Sequence, residues 1–183
     1  MWLVLALTLL AHSAPWLELT YSGITPQLYE WDCAPACADT LLSWSQIPVQ
    51  DGIWEEVTEP GKPISFRHLQ HYFAAYSLEA AGYRLDWDAF SSFLEGNRGT
   101  PLLVHFTEGK GHFALVWDLA PEGVLTGDPA HGVQFIPERH FRYLWSGAVL
   151  HFPDLHRLSD ALAVSDAARG RAQLLQAVGM IRP

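Results

Sequence analysis

A chain of 183 residues, 49% hydrophobic and 13% aromatic with 17% charged, carries enough apolar side chain to close one core and too little charge to stay disordered. Twenty acidic against eleven basic residues leave a formal net charge of −9. With no run of Lys or Arg to offset it, nucleic acid is excluded as an expected partner, because its phosphates would be repelled.

The first apolar run, Trp2 to Ala11, is far shorter than the roughly 20 residues a membrane-spanning helix needs, and the small residues Ala11-His12-Ser13-Ala14 follow it. This predicts a signal peptide over residues 1–13 and a secreted or periplasmic mature protein with no stable membrane span. A buried N-terminal strand is the alternative, since no Lys or Arg precedes the run. In residues 15–31, Pro15, Gly23 and Pro26 stand among alternating apolar positions, which predicts a short strand and a loop leading to Cys33. Ala34, Ala36, Cys37, Ala38, Leu41, Leu42 and Trp44 then recur at helical spacing, with Asp32 as N-cap and Pro35 in the first turn.

Residues 46–64, with Pro48, Gly52, Pro60, Gly61 and Pro63, read as loop, and Ser65 caps a helix to about Ala75. A shorter helix is predicted over Trp87–Leu94. The period then changes: Pro101–Phe106, His112–Asp118, Val124–Asp128 and Val133–Ile136 are short apolar or alternating runs divided by turns, which predicts an antiparallel sheet. A helix over Pro137–Leu144, a strand over Ala148–Phe152 and an amphipathic helix over Ser159–Val178 complete the chain. Helices first and sheet second give an α+β class.

Three residues stand out for chemistry. Cys33 is predicted at a helix N-terminus, where partial positive charge lowers a thiol's pKa and free N–H groups can bind an oxyanion. On position alone, a packed thiol is an equal alternative. His112 follows Gly109-Lys110-Gly111 at the mouth of a strand, where nucleophile and solvent can both reach a base. Asp128 closes the next strand. If the turn between these strands is the three-residue Ala120-Pro121-Glu122, Ala114 pairs with Asp128, which then shares a sheet face with His112. Cys37, one turn beyond Cys33, is expected to be a packed free thiol, because this spacing fits disulfide geometry poorly. His68 and His71 are the other pair weighed as metal ligands, and neither metal nor cofactor is expected.

The segment Gln27-Leu28-Tyr29-Glu30-Trp31-Asp32-Cys33-Ala34-Pro35-Ala36-Cys37 resembles the nucleophile motif of the C39 peptidase family, in which Gln stands six residues before the Cys of Asp-Cys-Gly-x-x-Cys. Gly111 to Val116 is similar to that family's His-Phe-aliphatic strand, and Gly127-Asp128-Pro129-Ala130-His131-Gly132 to its Asp-Pro-Ala-x-Gly element. Phe141 and Trp145-Ser146-Gly147 match its closing pattern. Ala34 stands where the family usually has Gly. The resemblance implies a papain-like fold over residues 14–156, followed by a helical extension over 157–183. It further implies Cys33 as nucleophile, His112 as base, Asp128 as orienting acid and Gln27 as side-chain oxyanion donor. The expected function is a free-standing, exported cysteine endopeptidase acting on a peptide or protein, with an export system as a candidate partner. A cell-wall amidase or acyltransferase, or a non-catalytic binding module of the same fold, are the alternatives.

Overall fold

A computed structural model of the chain describes residues 20–154 except 22, 60, 61, 98 and 99, together with 170, 173, 174 and 177. The apolar stripe from Cys33 forms helix α1 (Cys33–Trp44), whose buried side includes Cys33, Ala34, Cys37, Ala38, Leu41 and Leu42. Asp32 occupies the N-cap position but its side chain makes no capping bond. The first helical bond comes instead from its carbonyl, which accepts from the Ala36 N–H at 2.9 Å. The capping expected of Asp32 is therefore corrected: the helix start is held by backbone bonding and by packing.

Helix α2 (Ile53–Val57) follows, then α3 (Phe66–Ala75), whose Ser65 caps it as expected. Ser65 accepts from the His68 N–H while His68 Nδ1 accepts from the Ser65 N–H, a reciprocal capping box that gives His68 a structural role. Strand β1 (Ala81–Arg84) and helix α4 (Trp87–Gly96) precede a run of strands: β2 (Leu102–Phe106), β3 (His112–Ala120), β4 (Gly123–Asp128) and β5 (Gly132–Ile136). Helix α5 (Glu138–Leu144) and strand β6 (Trp145–His151) end the domain. The six strands form one antiparallel sheet in the order β1-β6-β2-β3-β4-β5.

Alternation along the strands divides the core into two layers. Leu103, Phe113, Leu115, Leu125 and Leu150 pack with Leu41, Leu42, Leu69 and Phe73 of α1 and α3. Leu102, Val104, Ala114, Val116 and Val124 face Phe90, Leu94 and Phe141 of α4 and α5. The sheet is thus covered on both faces, an α+β papain-like arrangement, and α1 brings its N-terminus to the end of β3.

Three sequence expectations change. Residues 46–64 are not all loop, because Ile53–Val57 make a short helix anchored by buried Ile53. Ala81–Arg84 adds an edge strand that pairs with β6. Thr20 and Tyr21 are helical, and residues 23–27 carry no strand, so the strand expected within 15–31 is absent from its described residues. The expected signal peptide over 1–13 lies outside the described residues. So does most of the expected extension over 157–183, of which Gly170, Gln173, Leu174 and Ala177 are helical. Among the described residues, no helix is long and apolar enough to cross a membrane.

Candidate active site

Sheet register sets the first relationship. The β3–β4 turn is the two-residue Pro121-Glu122, since Ala120 pairs with Gly123, and not the expected three-residue turn. Continued unchanged, that register would set Asp128 opposite Leu115. A bulge at Trp117 intervenes: Val116 pairs with Thr126 and Asp118 with Leu125, leaving Trp117 extra. Leu115 consequently pairs with Gly127, and this register carried one step further sets Asp128 opposite Ala114. Asp128 and His112 become diagonal neighbours on one face, within reach of each other's side chains. His112 Nε2 lies 2.8 Å from Asp128 Oδ1.

The start of β3 is prepared by glycine. Gly111 has φ +87°, a conformation glycine accepts without strain, and a Cβ there would sit 2.6 Å from His105 Nε2 and displace that ring. The next residue is His112. At the far side, Asp128 Oδ1 also accepts from the Ala130 N–H at 2.7 Å, and Oδ2 lies 3.1 Å from His131 Nδ1. Gly132, with φ +82°, closes this turn where a Cβ would strike the Thr20 carbonyl.

Cys33 enters from the other direction, at the first residue of α1, with only 6% of its surface exposed. Burial pushes its thiol pKa up. Hydrogen bonding to His112 and to the Phe113 backbone, the His112 charge and the Ala34 backbone outweigh that and bring it below the ordinary thiol value. For His112, burial pushes the pKa down. Hydrogen bonds to Asp128 and Cys33, and the negative charge on each, outweigh it and raise the value to about 9. Burial acts on Asp128 in the upward direction, yet hydrogen bonds from His112 and His131, the His112 charge and the Ala130 N–H hold it well below the usual carboxylate range. The ionised carboxylate is an acceptor only, so His112 Nε2 must carry a proton, and in neutral His112 the unprotonated Nδ1 remains for the thiol.

Cys37 has the opposite character. It is fully buried, its thiol donates to the Phe113 carbonyl at 3.5 Å, and burial with the nearby Cys33 and Asp128 charges pushes its pKa well up. Both cysteines are free. Phe113 therefore meets both, through its backbone near Cys33 and through its carbonyl at Cys37. Ala34 is buried in the same core layer, so its methyl adds to packing.

Gln27 lies on the loop before α1, where its N–H donates to the Pro129 carbonyl at 2.9 Å and ties that loop to the turn after Asp128. Its Nε2 donates to the Tyr29 carbonyl at 3.0 Å, while Oε1 is buried without a partner. Gln27, His112, Asp128 and His131 line one open cleft of about 1030 Å³, with Glu30 and Glu108 on the loop side and Arg139, His140 and Tyr143 on α5. Three of the four residues singled out from sequence, Gln27, His112 and Asp128, thus line this cleft, and the buried Cys33 lies behind it at the start of α1. His131 carries no role in the sequence reading beyond its place in the Gly127–Gly132 segment, and the one available signal for its role is its position three residues after Asp128. No group of three or more His, Cys, Asp or Glu side chains among the described residues could hold a metal ion.

Residues 22–154 match the peptidase C39 family. The fold is similar to that of a double glycine motif protease from an AMS/PCAT transporter, solved in complex with the leader peptide. That match has 20% identity and a TM-score of 0.61 and covers 70% of this chain and 89% of that one. It is similar also to the peptidase domain of Streptococcus ComA, a bi-functional ABC transporter involved in a quorum sensing pathway, with 18% identity, a TM-score of 0.61 and coverage of 72% and 98%. A C39-like peptidase from Bacillus anthracis aligns at 11% identity and a TM-score of 0.50, over 71% of this chain and 94% of that one. No curated protein matches. At these identities the structural likenesses speak for the fold, while the match over residues 22–154 speaks for the family. The chain belongs to the peptidase C39 family and is a cysteine peptidase.

Proposed function

We propose that the protein is an exported endopeptidase that cleaves a peptide or protein substrate with Cys33 as nucleophile, His112 as general base and acid, and Asp128 as the group that orients His112. The observation that carries this reading is the 2.8 Å contact of His112 Nε2 with Asp128 Oδ1 at the end of the sheet that meets Cys33 on α1. The mutual influence of Cys33 and His112, which lowers the thiol pKa and raises that of the imidazole, agrees with it. The Cys33 thiolate attacks the scissile carbonyl carbon, forming a C–S bond and moving the carbonyl π electrons onto oxygen. The backbone N–H of Cys33 at the start of α1, together with the second amide N–H of Gln27, serves the developing oxyanion. His112 gives its Nδ1 proton to the leaving amine as the C–N bond breaks. It then takes a proton from the water that releases the acyl group from Cys33.

Export rests on the apolar run Trp2 to Ala11 and the small residues after it. N-terminal sequencing of secreted material tests it, with a start at residue 14 expected and an intact Met1 on protein kept in the cytoplasm as the contrary result. The catalytic reading is tested with a thiol-directed active-site probe and a panel of peptides, some carrying a double glycine because one structural relative is a protease of that motif. Probe capture and cleavage lost in Cys33→Ala are expected. Capture and cleavage undiminished in that variant would refute the assignment.

A further inference from the structure

Asp128 receives two imidazoles, and the mechanism above uses one. His112 takes Oδ1 at 2.8 Å, while His131 Nδ1 stands 3.1 Å from Oδ2. The second contact is unexpected for its surroundings, because the His131 side chain is 69% exposed whereas that of Asp128 is 5% exposed. An ionised carboxylate only accepts, so Nδ1 of His131 must hold a proton whether the ring is neutral or charged. Among the described residues, Oδ1 has two donors, His112 and the Ala130 N–H, and Oδ2 has one, His131.

The torsion that turns a carboxylate about its last bond is soft and roughly two-fold. With one oxygen held by donors and the other bare, the group can tilt away from His112 to find water for the bare oxygen, since a buried unpaired acceptor is costly. A donor on Oδ2 removes that option. We propose that His131 is a positioning residue, holding the Asp128 carboxylate in the orientation that keeps Oδ1 on His112 and coupling the readiness of the Cys33–His112 pair to its own ionisation.

The electrostatics couple the two rings, and the charge on His131 acts against the orienting effect of its hydrogen bond. The hydrogen bond to Asp128 raises the His131 pKa, burial lowers it, the Asp128 charge raises it and the His112 charge lowers it. Two imidazolium ions on one carboxylate therefore oppose each other, and by reciprocity a charged His131 weakens the hold of Asp128 on protonated His112. The other ionisable groups of the same cleft are Glu30 on the loop before α1, Glu108 between β2 and β3, and Arg139, His140 and Tyr143 on α5. Tyr21 meets the Ala130 carbonyl at 3.2 Å on the same turn. None of these is recorded on Oδ2, so the substitution His131→Ala isolates that contact.

This inference rests on the reading of Cys33, His112 and Asp128 as the catalytic set, and its test needs no substrate. Alkylation of Cys33 by iodoacetamide, followed by intact mass across a pH series, reports the thiolate directly, while buried Cys37 stays silent. In the wild-type full chain, Cys33 is expected to react below the pH at which an ordinary thiol ionises. His131→Ala should slow labelling about tenfold near neutral pH, the effect of losing one hydrogen bond to a charged group. His131→Asn can donate to Oδ2 through its amide, so it should recover most of the rate while lacking the inflection that His131 ionisation adds. Superimposable wild-type and His131→Ala profiles would overturn the positioning role, as would equal damage in the Ala and Asn variants. A wild-type Cys33 with an ordinary thiol profile would be a different failure, ending the catalytic reading itself and this inference with it.

Discussion

Asp128 faces His112 because Trp117 is bulged out of the β3–β4 ladder. Without that extra residue, the two-residue turn at Pro121-Glu122 would pair Asp128 with Leu115 and send its carboxylate to the face opposite His112. The bulge is held from the core side: the Trp117 ring is 1% exposed, meets Trp44 edge to face at 5.3 Å, and lies where any side chain at position 127 would collide with it.

Trp117→Ala should therefore cost about 3–5 kcal/mol of stability, the usual range for emptying a large aromatic site. Trp117→Phe should cost clearly less, because it keeps an aromatic ring and removes an indole N–H that has no partner. Urea denaturation of both variants at constant m-value measures this. Equal losses would mean that ring volume is not what holds the bulge.

How far the site was legible follows from the same residues. Helical periodicity after Asp32 put Cys33 at a helix start, and alternation after Gly111 put His112 at a strand mouth; both are local patterns that one stretch of sequence contains. The face of Asp128 is not local. The three-residue turn assumed from sequence reaches the Ala114–Asp128 pairing by a different route from the turn and bulge that form, because a bulge depends on packing between Trp117, Trp44 and Gly127. Strand β1 escaped notice since three of its four residues are exposed and it shows no alternation. Helix α2 escaped because a five-residue segment with one buried side chain has too short a period to read among Pro and Gly. His131 could not be assigned from sequence because its contact with Asp128 exists only once the turn to Gly132 has formed.

Cys33 and Cys37 should separate cleanly. Cys37→Ala removes a buried thiol and its bond to the Phe113 carbonyl, and should cost about 1 kcal/mol or more while leaving substantial activity. Cys33→Ala should abolish turnover with little change in stability. Thermal melts beside peptide cleavage decide it. Equal activity loss in the two variants, with a 33–37 bond in non-reducing mass spectra, would point to a redox pair in place of a nucleophile and its packed neighbour.

The raised pKa of His112 makes a stability prediction with a definite sign. Its folded value, about 9, lies above the ordinary 6.5, so protonated His112 stabilises the fold fully below about 6.5 and the contribution is lost as pH rises to about 9. Asp128 is shifted downward, so its contribution is present above the ordinary 3.8 and is lost as pH falls through its depressed folded value. The lowered Cys33 pKa contributes with the opposite sign in the same interval, so the decline should be read in Cys33→Ala. There melting temperature should fall as pH rises above about 6.5 through the raised His112 value, and adding Asp128→Asn should remove much of that fall. The basic limb of the activity profile should lie near 9 in the wild type and move down in Asp128→Asn. A Tm that is flat across this interval in Cys33→Ala would show that Asp128 does not hold protonated His112 as described.

Gln27 supplies the sharpest test of the oxyanion assignment. A glutamine on a loop is ordinarily a solvated residue, and on that view Gln27→Ala changes almost nothing. Here its backbone N–H is tied to the Pro129 carbonyl and one amide N–H to the Tyr29 carbonyl, so the side chain is fixed in the cleft with a second N–H to give. If that N–H serves the oxyanion, Gln27→Ala should lower kcat by on the order of 10²–10³ with little change in KM, because the bond matters in the transition state and not in substrate binding. Gln27→Glu should be at least as harmful, since a carboxylate would face developing negative charge. Iodoacetamide labelling of Cys33 should be almost unchanged in Gln27→Ala, because thiolate formation depends on His112 and α1 and not on the oxyanion donor. Near wild-type kcat in Gln27→Ala would remove Gln27 from the catalytic set and leave Cys33, His112 and Asp128 in place. Slowed labelling would instead mean that Gln27 acts by holding the loop before α1, through its bonds to Pro129 and Tyr29.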